Sequence, residues 1–156
     1  MAAKNDRFVR RADFPLITDV QTRWEDNDML GHVNNVVFYS YFQAAVMHLL
    51  DACPLDWSGA PQVAYAAETQ CRFFRPLSYP ETVEAAIGVT RLGNTSLSYK
   101  VALFSKGIED AAGVGRFVHV IVDRKSATPC SIPAYMREAL ERFVMKGDAE
   151  QSQTIA

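Results

Sequence analysis

Residues 35–51, NVVFYSYFQAAVMHLLD, decide the fold. The run contains neither Gly nor Pro, and as an α-helix it would be about 25 Å long at about 1.5 Å per residue. Its polar members fall within an arc of about 140° on a helical wheel, so a wide apolar face remains. These members are Ser40, Gln43, His48 and Asp51. The sequence therefore predicts a long, largely buried helix that ends at Pro54.

The remaining elements are predicted strands and one short helix. Residues 17–24, ITDVQTRW, form a first strand before the long helix because β-branched residues alternate with polar ones. Pro133 and the apolar spacing over residues 132–145 predict a terminal helix. Between the helices, four segments bounded by turn residues are predicted strands: 62–74, 81–92, 95–105 and 113–123. Their short connections favour an antiparallel meander.

One antiparallel sheet with a single apolar helix buries that helix against its concave face, which is an α+β fold. The helix is too apolar for its other side to face water. A second copy that pairs edge to edge would extend the sheet and cover that side, so we expect a homodimer or homotetramer. The 156 residues fit one domain, residues 1–156. Residues 1–12 and 147–156 are charged or small and polar, and we expect loose termini there.

Composition limits the function. A 49% hydrophobic and 22% charged chain is an ordinary globular protein. A net charge of −2 without a basic block argues against nucleic-acid binding. We expect no membrane insertion, because there is no signal peptide and no apolar run of about 18 residues. The cysteines lack metal or disulfide spacing and predict reduced thiols in a cytoplasmic protein. They are Cys53, Cys71 and Cys130.

A polar stretch, RWEDNDMLGHVNN, occupies residues 23–35 between the first strand and the long helix. It carries three acids, a Gly and a His. Such a stretch is either a solvated turn with a helix cap or a reaction centre. Residue types alone leave both interpretations open.

The longer run 23–42, RWEDNDMLGHVNNVVFYSYF, resembles the hotdog-fold acyl-CoA thioesterases of the hydroxybenzoyl-CoA thioesterase type. The shared pattern is an aromatic residue, D-x-D-x-x-G-H-V-N-N, then Y-x-x-Y-F with one shift. Weaker likeness at residues 72–77, 91–96 and 132–136 extends the resemblance over roughly residues 17–140. It implies an antiparallel sheet wrapped around one long central helix, with a short C-terminal helix. It also implies hydrolysis of an acyl-CoA to free acid and CoA by a homo-oligomer, without metal or redox cofactor.

The resemblance assigns the chemistry to the polar stretch. Asp28 matches the catalytic carboxylate, which acts as nucleophile or general base. The backbone N–H of Asn35 matches the oxyanion donor, and Gly31 has no Cβ to obstruct a ligand. His32 either orients the loop or the substrate or is structural. Substrate contacts are assigned to Tyr39, Arg91 and Ser96.

Elementary chemistry agrees with this assignment. A thioester carbonyl is electrophilic and its thiolate leaves readily, so a carboxylate ionised at neutral pH can attack it or activate water. The first N–H groups of a helix lack intrahelical partners, and an oxyanion donor there is worth about 2.7–4 kcal/mol. Asp26 is interpreted as a support for the loop and Asn34 as the helix cap.

Other assignments stay open at this point. Glu68, in a mostly apolar strand, is a second candidate base. We interpret His48 and His119 as structural. The same fold could also serve a non-catalytic acyl-CoA-binding module, or a thioesterase that acts on acyl carrier protein.

Overall fold

A computed structural model describes residues 6–53, 56 and 58–146. The elements are β1 (Leu16–Gln21), α1 (Asn35–Ala52), β2 (Gln62–Phe73), β3 (Thr82–Leu92), β4 (Ser96–Ser105), β5 (Gly113–Asp123) and α2 (Ala134–Glu141). The predicted order of a strand, a long helix, four strands and a short helix is confirmed. Cys53 caps the C-terminal end of α1, and Pro54, the predicted stop, lies outside the described residues.

Two predicted elements are too long. The first strand ends at Gln21 and not at residue 24, because Trp24–Asp26 form a 3-10 turn. The terminal helix ends at Glu141 and not at residue 145. Residues 143–145 are instead hydrogen-bonded to Val89 in β3. The Val89 N–H donates to the Phe143 carbonyl, and the Met145 N–H donates to the Val89 carbonyl. The first strand is ended by a local turn, and the terminal helix is ended by a backbone partner that is distant in sequence.

The five strands form one antiparallel sheet in the order β1-β3-β4-β5-β2. The meander prediction holds for β3, β4 and β5 but is wrong for β2, which pairs with β5 along its whole length. The chain between β2 and β3 crosses from one side of the sheet to the other instead of making a hairpin. As a result β2 is an edge strand of 12 residues, exposed from Tyr65 to Gln70.

Helix α1 packs on one face of the sheet, which we call the inner face. Phe42 and Leu49 are fully buried there against inward residues of the sheet such as Ile87 and Val101. A Cβ at Gly115 in β5 would lie 2.9 Å from the Phe42 ring, so glycine permits this close approach. The expected hotdog arrangement, a sheet wrapped around one long helix, is confirmed. No helix in the described part of the chain is long and apolar enough to cross a membrane.

A second, smaller core lies on the opposite, outer face. Val9 and Phe14, which precede β1, pack there against Ala102, Phe104 and Val114. Residues 6–12 are expected to be loose, but Asp6 and Val9 are buried there, and Val9 packs against the outer face of the sheet. Residues 1–5 and 147–156 lie outside the described residues.

Candidate active site

The polar stretch before α1 folds back on itself as a short hairpin, residues 26–34. The Asn34 N–H donates to the Asp26 carbonyl at 2.8 Å, and Asn27 pairs with Val33 in an antiparallel bridge. The Val33 N–H also donates to the Leu77 carbonyl at 2.8 Å, which fastens the hairpin to the segment before β3. This pairing brings the tip of the hairpin to the N-terminal end of α1.

Asp28 and His32 face each other at the tip of the hairpin. The Asp28 N–H donates to the His32 carbonyl at 2.8 Å, and the Gly31 N–H donates to the Asp28 carbonyl at 3.0 Å. Gly31 has φ +79°, a left-handed conformation that costs other residues about 1–2 kcal/mol. A Cβ at Gly31 would meet no atom within 4 Å. Within this chain, glycine is therefore required by the backbone angle and not by space.

The Asp28 side chain is half-buried and only partly engaged. Its Oδ1 accepts the Leu30 N–H at 2.8 Å. Its Oδ2 has no hydrogen-bond partner in the described part of the chain. The next two residues, Met29 and Leu30, have exposed apolar side chains. One carboxylate oxygen is thus available to an incoming ligand in a partly apolar setting.

The start of α1 presents one unsatisfied backbone donor. Asn34 is the N-cap, as predicted: its Oδ1 accepts the Val36 N–H at 2.9 Å, and its carbonyl accepts the Val37 N–H at 2.9 Å. The Asn35 N–H has no acceptor among the residues that the structure describes, and Asn35 is exposed. This donor lies at the positive end of the helix dipole. It is therefore suited to bind a negatively charged oxygen.

Asp26, two residues before Asp28, has the opposite environment. It is 1% exposed and accepts hydrogen bonds from the Tyr41 hydroxyl at 2.6 Å and from the Arg23 N–H at 2.8 Å. The Arg23 guanidinium lies 3.0 Å from the other carboxylate oxygen. Burial raises the pKa of Asp26, but the bonds from Tyr41 and Arg23 outweigh burial and hold this pKa below its usual value. Asp26 thus fastens the hairpin to α1, the supporting role that the sequence predicts.

Sequence reasoning missed Tyr41 and Arg23 as partners of Asp26. Tyr41 lies in the buried core with Phe38, and its hydroxyl reaches back 15 residues to Asp26. Burial and this hydrogen bond raise the pKa of Tyr41, so the hydroxyl stays protonated and donates. A usable signal existed, because a buried tyrosine hydroxyl in an apolar helix face usually needs a polar partner.

The substrate residues assigned from the sequence do not converge in one copy of the chain. Tyr39 is half-buried one turn into α1, and its ring centroid is 6.2 Å from that of Phe117 on the sheet. β3 starts near the hairpin and its 11 residues cover about 35 Å at about 3.3 Å each, so Arg91 lies near the far end of the sheet. Ser96 begins β4 at the same far end. The structure thus brings together Asp28, Gly31, His32, Asn34 and Asn35, but neither Arg91 nor Ser96.

A cavity of about 260 Å³ opens on the outer face. Its polar lining residues are Glu68, Gln70, Thr90, Arg91, Ser98 and Arg116. Glu68 is exposed on the edge strand β2. It lies on the face opposite to α1, which separates it from Asp28. Glu68 is therefore a poor second base.

The remaining histidines differ in their exposure. His48 is exposed, and His119 is buried, which lowers its pKa and keeps it neutral. Cys53, Cys71 and Cys130 are free thiols. Among residues 6–53, 56 and 58–146, no group of three His, Cys, Asp or Glu side chains could hold a metal ion.

A sheet around one central helix, with a polar hairpin at the N-terminal end of that helix, defines a hotdog-fold protein. The model of the thioesterase-like superfamily matches residues 22–140. The chain therefore belongs to the thioesterase-like superfamily.

Solved structures and a curated protein are similar to this chain. The PA5185 protein from Pseudomonas aeruginosa strain PAO1 is 38% identical with a TM-score of 0.83, covering 88% of this chain and 96% of PA5185. A thioesterase from Thermus thermophilus, complexed with coenzyme A and Zn, is 28% identical with a TM-score of 0.73, covering 84% and 95%. YsmA of Bacillus subtilis (strain 168) is 23% identical over 88 residues, which are 56% of this chain and only 60% of YsmA. The family and the solved thioesterase support thioester hydrolysis as the general activity.

Proposed function

We propose that the protein is an acyl-CoA thioesterase, which hydrolyses an acyl-CoA to a free carboxylic acid and CoA. The observation that carries the proposal is the hairpin, which holds the Asp28 carboxylate and the unsatisfied Asn35 N–H at one end of α1. The coenzyme A bound to the Thermus thermophilus relative supports a CoA thioester as substrate. The free thiols fit a cytoplasmic location, where thiols stay reduced.

The Asp28 carboxylate acts as general base or as nucleophile. As a base it takes a proton from water, whose oxygen bonds to the thioester carbon. The C–S bond then breaks, and the departing CoA thiolate recovers the proton. As a nucleophile, its Oδ2 bonds to the thioester carbon and expels the thiolate, and water then hydrolyses the resulting anhydride. In both routes the carbonyl oxygen becomes an oxyanion.

The Asn35 N–H stabilises this oxyanion. It is a fixed donor at a helix start, where the dipole favours negative charge. The next N–H, that of Val36, is already taken by the Asn34 side chain. Because this donor is a backbone group, it remains in place when the side chain at position 35 is truncated.

A homodimer formed through β2 belongs to the same proposal. The edge strand β2, 12 residues long, offers the backbone N–H and C=O groups that face away from β5 to another strand. Two copies of one strand related by a two-fold axis across a continuous sheet pair antiparallel. This pairing places the far end of the second copy's sheet, where β3 ends and β4 begins, beside the end of the first copy's sheet that carries the hairpin. The CoA arm would extend in that direction, and a homotetramer would combine two such dimers.

An acyl-CoA panel with detection of free thiol tests the proposal on the wild-type protein and on Asp28→Asn. We expect thiol release by the wild type, a loss of turnover of about 10²–10⁴-fold in the variant, and an unchanged midpoint of thermal unfolding. Full activity of Asp28→Asn would exclude the mechanism. Tight binding of an acyl-CoA without release from any member would identify a binding module. Release only from acyl carrier protein thioesters would identify the other class of thioesterase.

A further inference from the structure

Three cations converge on one buried carboxylate at the outer face of the sheet. Asp6 Oδ1 lies 2.7 Å from Arg116 Nη2 and 3.3 Å from Lys100 Nζ. Asp6 Oδ2 lies 3.8 Å from Arg72 Nη1. Asp6 is 2% exposed, although it belongs to a short 3-10 turn that precedes the sheet. The three cations come from β4, β5 and β2, which are neighbours in the sheet.

The sheet itself sets the positions of these cations. Lys100 and Arg116 are directly opposite each other in the pairing of β4 with β5. Gly115 faces α1, so the alternation of side chains places Arg116 and its partner Lys100 on the outer face. Like charges directly opposite each other destabilise a sheet. Within the described ranges, no carboxylate except Asp6 lies within 4.0 Å of either group. This cation pair therefore requires an anion.

The anion is supplied from outside the stretch that matches the family. The superfamily model begins at residue 22, so it includes Lys100 and Arg116 but not Asp6. Asp6 is held in place by the apolar contacts of Val9 and Phe14 with the outer face. The cation site and the carboxylate that fills it are thus separate parts of the chain.

The cation cluster borders a cavity through one of its members. Arg116 lines the outer cavity of about 260 Å³, beside Arg91, Ser98 and the carboxylate of Glu68. Its side chain remains 36% exposed even with Asp6 in place. Guanidinium groups bind phosphate oxygens through paired hydrogen bonds, and a nearby ammonium adds a point charge. The charge and the donors fit a phosphate group better than a single carboxylate.

We infer that Lys100 and Arg116, with Arg72 beside them, form an anion-binding site on the outer face. Asp6 neutralises this site as an internal anion, and a phosphate group binds to the cluster when the charge of Asp6 is removed. The ligand class is inorganic phosphate or the phosphate of an organic molecule. The site lies on the face opposite to α1 and does not depend on the proposed thioesterase activity.

Thermal unfolding of full-length Asp6→Asn tests the site, with phosphate titrated at constant ionic strength against sodium chloride. In chloride alone we expect Asp6→Asn to unfold at a lower temperature than the wild type. Phosphate should raise its midpoint saturably, by about 2–4 °C beyond chloride, with a smaller rise in the wild type. If Asp6→Asn folds only when phosphate is present, that result also shows stabilisation by phosphate. AMP distinguishes the source, since a larger rise with AMP identifies an organic phosphate and an equal or smaller rise identifies free phosphate.

Two further variants isolate the cluster. Asp13→Asn removes the same charge from the same segment, but Asp13 pairs with Arg10 and not with the cluster, so it should gain no phosphate response. Arg116→Gln added to Asp6→Asn should abolish the rescue. Equal rises with chloride and phosphate, a rise that persists in the double variant, or no change in either salt would overturn the inference.

Discussion

The hairpin before α1 carries two carboxylates in opposite environments. Asp26, at its base, is buried and accepts hydrogen bonds from Tyr41 and Arg23. Asp28, at its tip, is half-buried, bonds one backbone N–H through Oδ1 and leaves Oδ2 without a partner among the described residues. The Tyr41 hydroxyl of α1 reaches the base of the hairpin and binds Asp26, which therefore anchors the hairpin. In the part of the chain that the structure describes, no such group reaches the tip, so one oxygen of Asp28 stays available to a ligand. The difference shows how two acids in a D-x-D pattern can have opposite environments, one held by hydrogen bonds and one open to a ligand.

After the loss expected for Asp28→Asn, the largest effect concerns the proposed oxyanion donor, the Asn35 N–H. Asn35→Pro removes the backbone N–H, while proline is well tolerated at the first position of a helix. The preceding Asn34 has φ −59° and ψ 140°, which a following proline permits. We expect turnover to fall by about 10²–10³-fold. Asn35→Ala, which keeps the N–H, should retain most of the activity in the same thiol-release assay. Equal losses in both variants would assign the role to the side chain.

The next effect tests Asp26 as the anchor. Asp26→Ala leaves the Tyr41 hydroxyl and the Arg23 N–H without an acceptor, and each unpaired group costs about 1–3 kcal/mol. We expect the free energy of unfolding in urea to fall by about 2–4 kcal/mol in total. Glu25→Ala is the matched control, because Glu25 is an exposed acid whose contact with Arg23 is 3.6 Å long. Its cost should stay below about 0.5 kcal/mol. Equal costs would remove the distinction between the two acids.

A smaller effect depends on pH. The pKa of Asp26 lies below its usual value in the folded protein, so its stabilising contribution is present above the unfolded pKa of about 3.9. That contribution is lost as the pH falls through the lowered folded pKa. Tyr41→Phe removes one of the bonds that lower this pKa, at a cost of about 1.5–3 kcal/mol at neutral pH. The difference in unfolding free energy between wild type and Tyr41→Phe should therefore narrow towards pH 3. A difference that stays constant would contradict the role of Asp26.

The smallest effect concerns the cap between the hairpin and α1. Asn34→Ala removes the acceptor of the Val36 N–H and should lower the free energy of unfolding by about 1 kcal/mol. Asn34→Asp keeps an acceptor of the same length and should remain close to the wild type. Thermal unfolding of the two variants checks this order. A larger cost for Asn34→Asp would show that charge near Asp28, and not capping, governs this position.

Most elements of the fold follow from local sequence. The absence of Gly and Pro over residues 35–51 identified α1, and turn residues bounded β3, β4 and β5. The pairing of β2 with β5 was not accessible, because no local pattern specifies which strands become neighbours. The second core was also missed. Its segment is polar in composition, and its few apolar members, Val9 and Phe14, contact strands far away in sequence.

The candidate site also has a part that follows from local sequence and a part that does not. The residues of the hairpin come together because they are close in sequence, so one motif contains Asp28, Gly31 and Asn35. The hydrogen bond from Tyr41 to Asp26 joins residues 15 positions apart. It forms only when α1 is turned about its axis so that Tyr41 faces the hairpin, and the motif does not predict this orientation. Arg91 was assigned by resemblance, and its distance from the hairpin depends on the length and direction of β3.

Asp28→Asn and Asp26→Asn, measured side by side, test the division of roles most directly. Turnover per folded molecule and the midpoint of thermal unfolding are determined for both variants. We expect Asp28→Asn to lose turnover by about 10²–10⁴-fold at an unchanged midpoint. Asp26→Asn should unfold at a lower temperature while its folded molecules keep most of their turnover. The reverse pattern, with activity lost at Asp26 and retained at Asp28, would contradict the assignment of the chemistry to Asp28.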